Sequence, residues 1–306
     1  MNARQIEVFH AIMRLGTLTG AAQALNVSQP ALSQLLLHAE EQLGFKLFRR
    51  LRGRLVPTPE AHMLFPEAER LHRDLESFRR FAGDLRNGVS GVVRLAASAP
   101  PSLSFLPRAL QDFRRAAPGV RLSAHVVPLD VAVERVGRGD ADLGVGLSDR
   151  TTPLVQARTI GHSQVVCVLR EGHALAQRET VEAPDLEGET LISYRAESLP
   201  GMLLDQAFAR LGRSYRTQVE IDTSIIALSF VQQGMGVALV DGLIPWASFP
   251  DLVVRPFRPE VRLPIAVLTG TRRPLSRHQE LLRDGLRDAL AAYAREPQAR
   301  GLVSAA

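Results

Sequence analysis

Ile6, Phe9 and Met13 recur at helical spacing, with Ala11, Ile12 and Leu15 beside them, until Gly16 ends the run. This predicts a first helix of about twelve residues. Thr17 and Thr19 are good caps for a short second helix, whose Gly20-Ala-Ala-Gln-Ala-Leu25 is small enough to pack closely against a neighbour. Asn26-Val27 breaks the pattern as a tight turn. Ser28 then caps a third helix with Pro30 in its first turn, and Leu32, Leu35, Leu36, Ala39 and Leu43 form its buried stripe up to Gly44. Three helices with a tight turn between the last two make a helix-turn-helix arrangement. Phe48 to Pro57 alternates around Gly53 as a small β-hairpin. From Pro59 to Asn87, the residues Ala61, Leu64, Phe65, Ala68, Leu71, Leu75, Phe78, Phe81 and Leu85 recur every three or four positions. One long helix is expected there, kinked or broken near Met63 by Pro66 and stopped at Asn87-Gly88.

Beyond Gly91 short apolar runs alternate with helical patterns, which is an α/β signature. Strands are expected at Val92 to Ala97, Val120 to Val127, Asp142 to Gly146, Gln164 to Leu169, Thr190 to Ser193, Thr217 to Ile221, Val237 to Val240, Leu252 to Phe257 and Arg262 to Thr269. Helices are expected at Leu103 to Ala116, Asp130 to Gly137, Met202 to Leu211, Ser224 to Gln233 and Ser276 to Arg295, and the tail from Gln298 to Ala306 is expected to fray.

A chain of 306 residues exceeds one small domain. It has no apolar run long enough to span a membrane, and Glu7, His10 and Arg14 break any secretory leader, so a cytoplasmic protein without membrane contact is expected. The single cysteine, Cys167, lies in an apolar run, which leaves no disulfide framework and no cysteine zinc site; no metal or other cofactor is expected. The 37 basic residues are Lys46 and otherwise Arg, against 32 acids. Their distribution changes the picture: Gly44 to Val56 holds Lys46, Arg49, Arg50, Arg52 and Arg54 and no acid, which points to an anionic partner.

The outer face of the third helix carries Ser28, Gln29, Ser33, Gln34 and His38. These side chains form hydrogen bonds with base edges and phosphates, and the basic hairpin directly behind them suits backbone phosphate. Any one of them alone would be an ordinary solvated position; together they favour a winged reader of double-stranded DNA. The series Phe9, Gly16-Thr-Leu-Thr, Ala21-Ala22, Leu25, Val27-Ser-Gln-Pro-Ala-Leu-Ser33, Leu43-Gly-Phe-Lys-Leu-Phe-Arg49 and Pro57-Thr58 resembles the LysR-type transcriptional regulators. Ala39 and Pro57-Thr58-Pro59-Glu60-Ala61 depart from the family pattern at packing positions. The resemblance implies a DNA surface of Thr19, Ser28, Gln29, Pro30, Ser33, Gln34, Arg49, Arg50, Arg52 and Arg54. It also implies a winged helix-turn-helix over 1–58 and a linker helix over 59–88 through which copies pair as dimers or tetramers. RNA polymerase is a further partner in its scope.

Leu106-Pro-Arg, Pro118-Gly-Val, Gly139-Asp-Ala-Asp-Leu-Gly-Val-Gly146 and Gln233-Gly-Met-Gly-Val-Ala-Leu239 extend the resemblance to the family's effector domain. That implies a two-lobed fold like the periplasmic binding proteins of type 2 over 89–306, with lobe one near 91–160 and 267–296 and lobe two near 161–266. Three strand-to-helix junctions place hydroxyls at helix N-termini, which suit a carboxylate, although plain capping would also use them. The family position selects Ser98, Ala99, Ser102, Gly146, Tyr194, Ser198, Leu199, Thr223 and Ser224 as effector contacts, while Pro100 and Pro101 depart from it. Arg52 to His62 and Leu64-Phe-Pro66 resemble the branch holding LysR itself and the opine-responsive regulators, which implies an amino acid, opine or other small carboxylate as effector. Arg150, Arg158 and Arg195 could face that carboxylate, but in so Arg-rich a chain each reads more simply as a surface residue.

An enzyme or a stand-alone binding protein is the competing reading. The sequence has no phosphate loop, no Gly-x-Ser-x-Gly elbow and no His-Glu-x-x-His, and Asp140 and Asp142 read as turn caps rather than as an acid/base pair. A regulator is therefore expected, with no catalytic residues.

Overall fold

A computed structural model describes residues 1–51, 54–86 and 91–306, and for residues 77, 80, 81, 84–86 and 247 only the backbone. Arg52, the Gly53 turn and the Asn87-Gly88 stop lie outside the described residues, as do the side chains of Phe81 and Leu85. The chain divides into two units, Met1–Gly88 and Val89–Ala306.

In the first unit α1 (Ala3–Leu15) opens with a capping box: Gln5 N–H donates to Asn2 Oδ1 (3.0 Å), and Asn2 N–H donates to Gln5 Oε1 (2.7 Å). It ends at Gly16 with φ 72°. Thr17 caps α2 (Leu18–Ala24), Asn26 turns with φ 52°, and Ser28 caps α3 (Gln29–Leu43), with Pro30 in the first turn where no amide donor is needed. Val8, Phe9, Ile12, Ala21, Ala22, Leu32 and Leu36 are buried between the three helices. Strands β1 (Phe48–Leu51) and β2 (Arg54–Pro57) pair antiparallel, Phe48 opposite Pro57 and Arg50 opposite Leu55. Phe48 anchors this hairpin edge-on against Phe9, with ring centroids 6.0 Å apart.

Helix α4 (Pro59–Arg86) runs unbroken through Pro66, where the sequence predicts a kink or a break. Pro66 removes one N–H donor from the helix ladder. Tertiary contacts hold the turn regardless: Phe65 meets Phe9 edge-on at 6.2 Å, stacks on His10 at 5.8 Å and lies under the Arg14 guanidinium. Two ion-pair clusters join α1 to α4. Glu7 is gripped by Arg4 (2.8 Å) and Arg79 (2.5 Å), and Glu69 by Arg14 and Arg73. Between them His10 and His72 stack, their centroids 4.2 Å apart.

Burial, with His72 and Arg14 close by, pushes the His10 imidazole down to about 4. The folded unit thus resists a proton that the unfolded chain takes up near pH 6.5. Its stability is therefore complete above that value, falls as pH drops towards about 4, and levels off below. Thermal melts across that window should show this slope in the wild type and a flatter one in His10→Phe. An unchanged slope would remove His10 from the account.

In the second unit β3 (Val92–Ala97), α5 (Ala99–Leu103), α6 (Leu106–Ala116), β4 (Arg121–Val126), α7 (Leu129–Arg138) and β5 (Leu143–Leu147) come first. There follow β6 (Val155–Arg170), β7 (Val181–Glu182), β8 (Leu191–Tyr194), α8 (Leu199–Ala209), β9 (Val219–Ile221), α9 (Ser224–Gln232) and β10 (Val237–Asp241). The last elements are β11 (Leu252–Arg258), β12 (Arg262–Gly270), α10 (Arg277–Tyr293) and β13 (Val303–Ala305). The strands run β4-β3-β5-β12-β6-β10-β8-β9, with β11 also on β6. The sixteen-residue β6 joins two lobes. It pairs with β12 up to Gln164 and with β10 from Val165 onward. The return crossing lies between the end of β11 and Arg262. Parallel β3, β4 and β5 build one lobe; parallel β8, β9 and β10 build the other.

Three expectations are corrected. The helix predicted from Leu103 to Ala116 starts three residues later, as α6: Leu103 instead ends the short α5, Ser104 Oγ–H donates back to Pro100 O (2.9 Å), and α6 begins with Pro107 in its first turn. The strand predicted from Gln164 begins at Val155, because its first half mixes exposed polar and buried positions and lacks an apolar run. The tail expected to fray instead forms β13 on β6, with Val303 opposite Ser163 and Ala305 opposite Gly161. Buried Ala299 and Val303 hold it there.

Candidate functional site

The outer face of α3 begins where the Ser28 cap directs it. Thr19, Ser28, Gln29, Pro30, Gln34 and His38 are exposed and Ser33 is half-buried, while Leu32, Leu36 and Ala39 fill the opposite side. Leu37, absent from the expected set, is 48% exposed on the same face; an apolar side chain there suits a thymine methyl. Arg49, Arg50 and Arg54 are exposed on the hairpin behind.

What fixes this hairpin relative to α3 is Glu40. Its buried Oε1 accepts the N–H of Leu47 (2.9 Å) and of Phe48 (3.2 Å), and its Oε2 accepts Lys46 Nζ (2.8 Å). The described basic residues of this cluster thereby separate into Lys46, tied to the protein, and Arg49, Arg50 and Arg54, turned to solvent. At the other end Thr58 caps α4 through Ala61 N–H (3.2 Å) and donates to Lys46 O (2.8 Å).

In the second unit Ser98 stands at the mouth of α5. It is 9% exposed, its N–H donates to Val145 O (2.9 Å), and its Oγ is buried with no hydrogen-bond partner. Ala99 is half-buried beside it, and Ser102 Oγ–H donates to Ser98 O (2.8 Å). Gly146 closes the wall: a Cβ there would lie 3.0 Å from Ser98 Oγ and 2.7 Å from Leu129 Cδ1. From the other lobe comes α9, which lies against α5. Its cap residue Thr223 also buries a hydroxyl without a partner. Ser198 caps α8 through Gly201 N–H (3.2 Å), with Leu199 half-buried behind it. Arg195 pairs with Asp222 (2.7 Å), and both are largely exposed.

Tyr194 and Ser224 are buried beside Asp241. Tyr194 ends β8, where its hydroxyl donates to Asp241 Oδ2 (2.6 Å) and accepts Asp241 N–H (3.2 Å). Ser224 is buried with its hydroxyl in reach of both groups. Asp241 Oδ1 accepts Leu243 N–H (2.9 Å). Burial pushes the Asp241 carboxyl above its usual range, and burial beside Asp241 pushes the Tyr194 phenol well up, which keeps Tyr194 a protonated donor. Sequence reasoning missed Asp241, although a carboxylate closing the apolar run Val237 to Val240 was a signal.

Cys167 is fully buried, and desolvation pushes its thiol far up, so it is unreactive. Among the described residues no cluster has the make-up of a metal site, and no helix is long and apolar enough to cross a membrane.

Residues 86–291 match the LysR substrate binding domain, and residues 3–62 match the bacterial regulatory helix-turn-helix protein, lysR family. This chain is a LysR-type transcriptional regulator. The regulator is 33% identical over 293 residues to the regulatory protein NocR of Agrobacterium fabrum, covering 95% of this chain and 98% of that one. It is 31% identical over 259 residues to the octopine catabolism/uptake operon regulatory protein OccR of Rhizobium meliloti, covering 84% and 85%. In structure it is similar to full-length CbnR complexed with its target DNA: TM-score 0.67, 20% identity, 94% and 100% coverage. A DNA-binding unit followed by an effector-binding unit is thus the architecture of this regulator.

Proposed function

We propose that this regulator binds promoter DNA as a homo-oligomer and is switched by a small amino-acid-like carboxylate, an amino acid or opine, held between α5 and α9. Gln29, Ser33 and Gln34 read base edges, supported by Thr19, Ser28 and Pro30, while Arg49, Arg50, Arg52 and Arg54 hold phosphates. Ser98, Ala99, Ser102, Gly146, Ser198, Leu199 and Thr223 contact the effector; Tyr194 and Ser224 act behind them through Asp241. The reading places the protein in the cytoplasm and assigns it no catalysis.

The observation that carries the effector site is the pair of buried hydroxyls without partners, Ser98 Oγ and Thr223 Oγ1, one from each lobe. An unsatisfied buried hydroxyl costs on the order of 1–3 kcal/mol, which a carboxylate accepting from it would recover. The relative named for octopine catabolism and uptake supports the opine end of the class. For self-association, Met63 and Phe78 are 81% and 66% exposed on α4. An open groove of about 340 Å³ between α1 and α4 is lined by Ile6, Leu71, Leu75 and Phe78. A second copy of α4 seated there would set two recognition helices for two half-sites.

The test is a thermal-shift panel on the full chain with amino acids, opines, diaminopimelate and aromatic carboxylates. A ligand at about 100 times its Kd adds about 2.7 kcal/mol. Thr223→Val should raise the ligand-free stability by about 1 kcal/mol, because it removes an unpaired polar atom, and should weaken the shifting ligand at least about tenfold. A Thr223→Val protein that binds as tightly as wild type would overturn the placement of the site. On DNA, Gln29→Ala should weaken operator binding by about 1–3 kcal/mol and spare random DNA. Arg50→Ala should weaken both and flatten the salt dependence by about one phosphate's worth. Equal loss on both DNAs for Gln29→Ala would deny it a base-reading role.

A further inference from the structure

The crossover strand β6 carries a fourth partner, β13, where it passes between the lobes. On one side Gly161 to Gln164 pairs with β12; on the other, β13 lies along the same residues. The contact continues past β13 in both directions: Gln164 N–H donates to Leu302 O (2.7 Å), and Ala306 N–H donates to Ile160 O (2.9 Å). This segment lies beyond residue 291, where the match to the LysR substrate binding domain ends.

The close approach depends on Gly161. A Cβ there would stand 2.2 Å from Ser304 O and 2.8 Å from Leu290 Cδ2, so the paired segment occupies the space a side chain would fill. Leu302 also reaches the second lobe: a Cβ on Gly242 would lie 3.0 Å from Leu302 Cβ. Gly242 N–H in turn donates to Gln164 O (2.9 Å) and to Ser163 Oγ (2.9 Å). Residues 299–306 therefore lie across the crossing, bonded to the strand of one lobe and packed on the first residue past β10 of the other.

A hinge moves by letting a few residues change φ and ψ, and backbone hydrogen bonds on both edges of the strand oppose that change. We propose that residues 299–306 form a strap that stiffens the β6 crossover and so sets how readily the lobes re-orient. This holds whatever the effector is.

The experiment is amide hydrogen exchange on the full-length protein, wild type against a chain ending at Gly301 and against Gly161→Ala. The decisive amides are Val165 and Gly242, which bond to Val261 O, Gln164 O and Ser163 Oγ but not to the strap. Stiffening by the strap predicts that both exchange at least about tenfold faster in either variant, with the β3 amides unchanged. If only Gln164 loses protection, the segment merely covers the strand and the proposal is overturned. Should the shortened chain lose protection in β3 as well, it has unfolded broadly, and Gly161→Ala decides by the same two amides.

Discussion

Glu40→Ala is expected to lower the stability of the first unit by about 3 kcal/mol, since it leaves the buried N–H groups of Leu47 and Phe48 without an acceptor. In a unit of this size that moves its melting transition down by about 15 °C. Operator affinity should fall at least about tenfold at a temperature where the unit is still folded, because the hairpin arginines lose their fixed position relative to α3. Glu40→Gln separates the causes. Its amide oxygen still accepts both N–H groups and only the Lys46 pair is lost; with Lys46 58% exposed, that pair is worth under about 1 kcal/mol. Thermal melts and DNA titrations of the two variants check this. Equal damage from Gln and Ala would mean that charge, not the two backbone bonds, is what Glu40 supplies.

Asp241→Ala should cost the second unit a further large amount, about 3 kcal/mol, by stranding the Tyr194 hydroxyl and the Leu243 N–H in the interior. Asp241→Asn keeps an acceptor and should cost less than about 1.5 kcal/mol. The pH dependence has a definite sign. Burial holds the Asp241 carboxyl above the usual range, so the folded state prefers it protonated. Wild-type stability relative to Asp241→Asn is therefore greatest below the ordinary carboxylate value near 4 and declines as pH rises through the raised value. Denaturant titrations of both proteins across acid and neutral pH measure that difference, and two parallel curves would refute it.

These two acids mark how far the chain could be read unaided. The α3 face was legible because each feature is local: Ser28 caps, Pro30 needs no donor, and the apolar stripe leaves Gln29 and Gln34 outside. The hydroxyls at Ser98 and Thr223 were legible for the same reason, as residues that begin helices. Tyr194 was not, because its place depends on Asp241, forty-seven positions away in the sequence. The length of β6 was hidden by Gln156, Arg158 and Thr159, polar positions on a strand with one solvated side. Nor could the pairing of the tail be seen in Gln298 to Ala306, since it rests on the space left by Gly161 in a distant strand. Helix α4 shows the reverse case: Pro66 carries a true local signal, and packing of Phe65 overrules it.

The two ion-pair clusters and the histidine stack between α1 and α4 tie helix-turn-helix and long helix into one rigid arm. At 1.5 Å per residue, the 28 residues of α4 reach about 42 Å. A tilt of about 5° at the far end swings the other by about 4 Å, close to the 3.4 Å step between base pairs. Small changes of angle at one end of this lever are thus converted into displacements of several ångströms at the other.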